Sequence, residues 1–376
     1  MINVCHIVNL ITGKADGIYT HLKMIFTLSD KERFQHYLIF QGGEKIEKEL
    51  SEMGIKVLVS NSLKKKISIK AFKDIYMFIK KNDISIIHTH LIKPYAIAGL
   101  LNIFLRKKFI FNYHGLFLSN NIYYGAFEKI VYRLIHFIIN LLGTVNAVLV
   151  PSRRSKELLM KETHLFPVPT VYYNGYNIQS NNSQNSSVVE KIQEIKKGGI
   201  IIAMVARLQI QKRIDRAIDI FKTIHLLKKN IFLLIFGDGE LKQKLIEQAK
   251  VSGIESKIIF FDYVTNLISY YSYFDILLFT SEWEGTPLSM FEAMANKVPM
   301  VAPDVGGFKE IIEENNCGII YAPGNMRDAE EKLSKLIEDN NLRKELGESG
   351  RMAVEKKYNA HNFIRQIENV YLNLYK

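Results

Sequence analysis

The chain has 376 residues, 48% of them apolar and 23% charged, with a formal net charge of +12. That length exceeds what one hydrophobic core serves and predicts two domains of roughly 150–200 residues each, and the composition excludes a disordered or fibrous class. Two cysteines, without metal-ligand spacing between them, exclude a disulfide framework and favour a reducing cytoplasm.

The charge is uneven. Residues 1–180 carry 24 Lys and Arg against 12 Asp and Glu, whereas residues 181–376 carry 26 of each. A basic half beside a neutral half suggests that the first domain meets something anionic: a membrane surface, a nucleic acid or a phosphorylated acceptor. The plainer alternative is solvated lysine in a chain rich in Lys, Ile and Asn.

The opening stretch "INVCHIVNL" has no basic n-region or small-residue cleavage site, and the nearest approach to a spanning run, Leu134 to Val150, is short and broken by Gly143 and Asn146, so neither a signal peptide nor a membrane span is expected. Apolar strands then alternate with amphipathic helices: "INVCHIVNL" with "YTHLKMIFTLS", "HYLIF" with "IEKELSEMG", "KVLVS" with "SIKAFKDIYMFIKKND", and "SIIHTH" with a helix to Phe104. "KFIFNYHG", "AVLVPS" and "TVYYNG" continue the series, which predicts a parallel sheet wound on both faces. Gly13 and Gly17 after the first strand allow close backbone approach to a ligand. His88 and His90 in "IIHTH" are expected on opposite faces of a strand and so make a poor metal pair. His114, followed by Gly115, places an imidazole at the end of an apolar strand. The stretches Ser62 to Lys81 and Phe104 to Phe109 mix cations with apolar residues, the composition of a peripheral membrane surface. "LIHFIINLLGTVNAVLV" is expected to be a buried helix followed by a strand rather than a membrane span.

An Asn- and Ser-rich segment after Gly175 has linker composition, which predicts an N-terminal domain over 1–180, a linker over 181–198 and a C-terminal domain over 199–376. The alternation restarts with "IIIAMVARL", "IFLLIFGDG", "KIIFFDYV", "DILLFTS", "PMVAPDVGG" and "CGIIYAP", a second doubly wound sheet. Two such sheets in one chain predict ligand binding in a cleft at their carboxyl strand ends. The last helix, with Phe363, Ile367, Val370 and Tyr371 apolar, is able to pack on either domain.

Chemistry concentrates in the second half. Arg207 and Lys212 follow a strand and suit a diphosphate. "SEWEGTPLSMFEAMA" places Glu284 and Glu292 around a helix start, with Thr286 expected as N-cap and Pro287 as first helical residue, so that free N–H groups and the dipole face an anion. Glu292, among apolar neighbours, is expected to be buried and to accept from a diol such as ribose. "GDGELK" has only the first two glycines of G-x-G-x-x-G, Walker A and G-x-S-x-G are absent, and no Asp-x-Asp pair offers a divalent-cation site.

With these residues the chain resembles the retaining glycosyltransferases of family 4, which have the GT-B fold. The resemblance rests on the Glu-x7-Glu element with its flanking "DILLFTS" and "PMVAPDVGGFKEII", and on "ARLQIQKR", "YNGYN", "YHG" and "VPS". It implies that Arg207 and Lys212 hold the donor diphosphate, Glu292 the ribose and Glu284 the donor sugar, with Gly285, Thr286, Pro287 and Leu288 offering backbone to sugar and phosphate. It further implies that His114 contacts the sugar near the scissile bond, Gly17 approaches the phosphates, and Tyr263 and Val264 meet the base. Asp16, Ala206, Arg213 and Asp262 stand where the family usually has glycine, and a carboxylate at Asp16 would repel a diphosphate unless turned away.

The expected activity is hexosyl transfer from a nucleoside diphosphate sugar, UDP- before GDP-, to a glycan or lipid-linked hydroxyl. Configuration is retained, and neither metal nor cofactor takes part. Bacterial surface polysaccharide assembly at the cytoplasmic face of the membrane is the expected setting. Two other classes compete: a sugar-nucleotide epimerase of GT-B architecture, separable by product analysis, and a basic nucleic-acid binder, for which no aromatic platform is visible.

Overall fold

The computed structural model describes residues 1–11, 17–64, 68–114, 125–162, 167–178, 186–228, 230–262, 264 and 266–376. The chain forms two units, one of Met1–Asn174 with Ala360–Lys376, the other of Gly175–Asn359.

In the first unit β1 (Ile2–Ile7), β2 (Phe34–Phe40), β3 (Lys56–Val59), β4 (Ile86–His90), β5 (Lys108–Asn112), β6 (Ala147–Val150) and β7 (Thr170–Val171) form one sheet in the order β3-β2-β1-β4-β5-β6-β7. Every pairing is parallel. Its strands read as nearly unbroken apolar runs because both faces are covered. Cys5, Ile7, Tyr37, Ile39, Ile87 and Phe109 enter one core. Val4, Leu38, Ile86 and Ile110, of the other parity, enter a second with Phe26, Phe363, Ile367 and Tyr371.

The last three of these apolar residues come from the helix Ala360–Tyr375, so the chain returns to its first unit for its last element. Glu368 accepts from the backbone N–H of Asp30 at 2.8 Å, fixing that helix against the loop before β2.

The second unit repeats the plan with β8 (Ile200–Val205), β9 (Ile231–Phe236), β10 (Ile258–Phe261), β11 (Ile276–Leu278), β12 (Met300–Pro303) and β13 (Gly318–Tyr321) in the order β10-β9-β8-β11-β12-β13. In both sheets the strand order reverses beside the first strand, the point where open α/β sheets leave a crevice at their carboxyl ends. No helix among the described residues is long and apolar enough to cross a membrane.

Two boundaries differ from the sequence expectation. The break falls between Asn174 and Gly175, and most of the expected 181–198 linker is a helix, Ser186–Gly198, belonging to the second unit. Ile192 is fully buried and Lys196 reaches Asp275 at 2.5 Å. Helical spacing of Val188, Ile192 and Ile195 outweighs the Asn- and Ser-rich composition before it. Residues 181–185 lie outside the described residues.

Candidate active site

Strands β8 and β11 are neighbours at the reversal point of the second sheet, and the segments leaving their carboxyl ends are stitched together. The short 3-10 turn Ile210–Lys212 follows β8. Gln211 accepts through its backbone carbonyl from Glu282 N–H at 2.9 Å, and its side-chain amide donates to the Trp283 carbonyl at 2.9 Å. Thr280 Oγ1 donates to the Lys212 carbonyl, also at 2.9 Å. These bonds hold Lys212 against the Glu284 loop.

Lys212 Nζ lies 2.5 Å from Glu284 Oε1, and the two side chains are only 16% and 6% exposed. The same carboxylate oxygen accepts from Ser281 Oγ at 2.7 Å. A carboxylate this deep requires a partner, and the ammonium with the hydroxyl supplies it. An ammonium carries three donors, so one spent on Glu284 leaves two for a second acceptor. Arg207, also in the segment after β8, is exposed, and among the described residues its guanidinium has no ion-pair partner.

Glu292 has separate partners. It lies on the helix Leu288–Ala295 and accepts from Tyr271 Oη at 2.7 Å. Burial raises its pKa above the usual carboxylate range, and the tyrosine bond opposes that shift. Glu292, expected to be buried, is partly exposed as a residue. Among the described residues the two acids share no hydrogen-bond partner.

The helix start also differs from expectation. Pro287 is the N-cap, with φ −67° and ψ 140° and no cap bond from its own side chain, and Leu288 is the first helical residue. Proline's fixed φ suits either position, but the extended ψ delays the helix by one residue. Thr286 is thereby moved one position ahead of the cap and is buried. Met290 N–H donates back to the Pro287 carbonyl at 3.1 Å.

Glycine supports this loop from β12. Gly306 has φ +57°, and a Cβ there would stand 2.3 Å from the Glu284 carbonyl oxygen and 2.6 Å from that of Gly285. Gly307 N–H donates to the Gly285 carbonyl at 2.7 Å. Gly306→Ala is expected to displace the Glu284 loop, cost about 1–3 kcal/mol of stability by overpacking and lower activity. Denaturant unfolding and rate measurements on one preparation would check both effects.

The descriptions "Glycosyl transferases group 1" and "Glycosyltransferase Family 4" belong to the two family models that match, over residues 186–353 and 21–180 respectively. The chain belongs to glycosyltransferase family 4. Its sequence is 27% identical over 199 residues to the capsular polysaccharide biosynthesis glycosyltransferase CapM of Staphylococcus aureus, across 53% of this chain and 52% of that protein. It is 24% identical over 302 residues to the N-acetyl-α-D-glucosaminyl L-malate synthase of Bacillus anthracis, across 78% and 76%. The chain thus spans about half the length of CapM. Among solved structures, Anabaena Alr3699/HepE, in a complex with UDP and glucose, superposes with a TM-score of 0.81 at 16% identity over 99% of this chain and 100% of that one. The fold is GT-B.

Where the family usually has glycine, this chain holds Arg213 at φ 47° and ψ 45°. That left-handed conformation costs a non-glycine residue roughly 1–2 kcal/mol. The guanidinium offsets it by binding both oxygens of Asp215, at 3.1–3.2 Å through Nε, and Glu282 at 3.0 Å. Those bonds raise the pKa of Arg213 further. Asp262, at another glycine position, is exposed and pairs with Lys242. The Gly-x-Gly of "GDGELK" has a packing cause: a Cβ on Gly237, at φ +146°, would lie 1.9 Å from the carbonyl oxygen of Ala206.

Val264 is partly buried in the segment after β10. Tyr263, Asp16, Gly13 and Gly115 lie outside the described residues. Gly17 opens the helix Gly17–Leu28 in the first unit, where a Cβ would meet nothing within 4 Å. His114, two residues past β5, is partly exposed and bonds through Nε2 to His90 Nδ1 at 3.0 Å. Burial, with a smaller effect of His21, lowers its pKa to about 3, so the ring is neutral at pH 7.

Sequence reading missed Ser281, Tyr271 and Gly306. Ser281 lay inside the quoted motif and was legible as a second donor to Glu284. Tyr271, in the 3-10 segment Leu267–Tyr273, carries no local signal of its contact with Glu292. One expectation was wrong in its geometry: His88 and His90 share a face, because strand side chains alternate and residues two apart point the same way. Their rings stack with centroids 4.5 Å apart.

Proposed function

We propose that the protein transfers a hexose from a nucleoside diphosphate sugar, UDP- before GDP-, to a hydroxyl of a glycan or lipid-linked acceptor, with retention and without a metal at the donor. Bacterial surface polysaccharide assembly is the proposed setting. The observation that carries the reading is the Lys212–Glu284–Ser281 cluster at the reversal point of the second sheet. UDP and glucose in the Anabaena Alr3699/HepE complex support the donor class, and the name of CapM supports the setting.

In this reading the leaving diphosphate gains charge as the glycosidic bond breaks, and Arg207, Lys212 and the Leu288 helix terminus neutralise it. Glu284 holds Lys212 and orients the sugar, Glu292 grips the ribose, and neutral His114 donates to the sugar. Backbone at Gly17, Tyr263, Val264 and Gly285 to Leu288 completes the donor contacts. A donor phosphate oxygen takes the acceptor proton on the leaving-group face. Incubation with a panel of UDP- and GDP-sugars, reading slow donor hydrolysis, tests the donor class. Hydrolysis of none, or of a GDP-sugar alone, would count against it. A glycosyl-enzyme trapped on Glu284 would overturn the role given to that residue.

The first unit supports an anionic lipid surface as the acceptor's location. Contrary to the expectation of a buried helix from Leu134 onward, the helix Ala126–Leu141 exposes Phe127, Ile130, Leu134, Phe137 and Leu141, a stripe at alternating steps of three and four residues with Arg133 exposed beside it. An apolar stripe with an exposed cation beside it suits the interface of an anionic bilayer. In flotation assays the protein is expected to rise with anionic vesicles and much less with neutral ones. Leu134→Glu with Phe137→Glu should abolish the difference.

A further inference from the structure

The first unit contains a cluster of histidines that the transfer reaction does not use. β1 pairs with β4 so that His6 lies opposite His88, and His90 follows on the same face of β4. All three are fully buried, with ring centroids 4.5–5.4 Å apart. One ligating nitrogen from each lies within 4.8 Å of the other two.

Each ring also has a nitrogen bound to an outer partner. His88 Nδ1 meets the Tyr371 hydroxyl at 2.8 Å, His6 Nε2 meets His36 Nδ1 at 3.2 Å, and His90 Nδ1 meets His114 Nε2 at 3.0 Å. The remaining nitrogens of His6 and His90 are 3.1 Å apart, and His88 Nε2 is buried with no hydrogen-bond partner. Two nitrogens bound to one tetrahedral zinc at about 2.0–2.1 Å stand roughly 3.3 Å apart. Outer partners on the second ring nitrogen are what metal-bound histidines require to fix tautomer and orientation.

We propose that His6, His88 and His90 form a binding site for a late first-row divalent cation of the zinc type, with its fourth position open. The set is all imidazole, which favours zinc, copper, nickel or cobalt over magnesium or calcium. Binding would give a partner to the orphaned nitrogen of His88, a group otherwise costly to bury. It would tie β1 to β4 and, through Tyr371, to the C-terminal helix. Burial holds the three imidazoles well below their usual pKa, so the neutral, ligating form is present. The site lies in the first unit and carries no step of the proposed transfer.

The test is titration of the full-length, chelator-treated chain, free of any histidine tag, with Co2+ as a spectroscopic probe. The expected result is one equivalent bound with the visible bands of four-coordinate Co2+, displaced by one equivalent of Zn2+, and a Zn2+-dependent rise in melting temperature. His88→Gln should abolish the signal, and His361→Gln, an exposed control, should keep it. Should His88→Gln fail to fold, Tyr371→Phe carries the test, with affinity expected to fall about 10–100-fold. Absence of the bands, or unchanged affinity in His88→Gln or Tyr371→Phe, overturns the site and leaves a hydrogen-bonded core stack.

Discussion

Lys212→Ala is expected to lower kcat/KM for sugar transfer by about 10²–10³-fold, the cost of removing one preorganised donor from a developing charge. The ammonium is held in place by Glu284 at 2.5 Å and by the carbonyl contact of Lys212 with Thr280, so it needs no reorganisation when the diphosphate departs. The substitution has a second effect. Glu284, left with Ser281 alone in a site 6% exposed, becomes an uncompensated buried charge, and breaking such a pair costs about 3–5 kcal/mol. Rates and melting temperature measured together separate the two. Glu284→Gln in the Lys212→Ala background should restore stability but not turnover. Near-normal transfer by Lys212→Ala would remove the diphosphate assignment.

Glu292→Ala is expected to raise the donor KM by about 100-fold with little change in kcat. Two charge-assisted bonds to ribose hydroxyls, at roughly 1.5–3 kcal/mol each, minus what water returns, give a net loss of about 3 kcal/mol. Tyr271→Phe should raise KM less, because it removes only the 2.7 Å bond that aims the carboxylate. Steady-state kinetics over a range of donor concentrations reads the split. A fall in kcat at constant KM would place Glu292 at the reacting centre instead of the ribose.

The candidate site of the second unit was legible because its signals are local. Arg207 and Lys212 stand within a few residues of a strand end, and Glu284 and Glu292 flank one turn, so spacing alone shows which crevice they serve. What spacing could not show is the direct contact of Lys212 with Glu284, 72 positions apart in the chain, or the glycine of a third segment, Gly306, closing against the Glu284 carbonyl. The linker was misread for a related reason. Composition marked the Asn- and Ser-rich stretch, whereas the burial of Ile192 depends on a surface that only the folded second unit provides.

By itself the sequence determined two parallel, doubly wound sheets and the strand ends that carry the candidate site residues. Strand runs, helical periodicity and short loops are properties of neighbouring residues, and parallel connectivity follows from their alternation. Tertiary structure alone decided that the last helix joins the first unit, that Tyr271 serves Glu292, and that His6, His88 and His90 converge. Strand register brings His6 of β1 beside His88 of β4, and no local window of sequence encodes a register between segments some eighty residues apart.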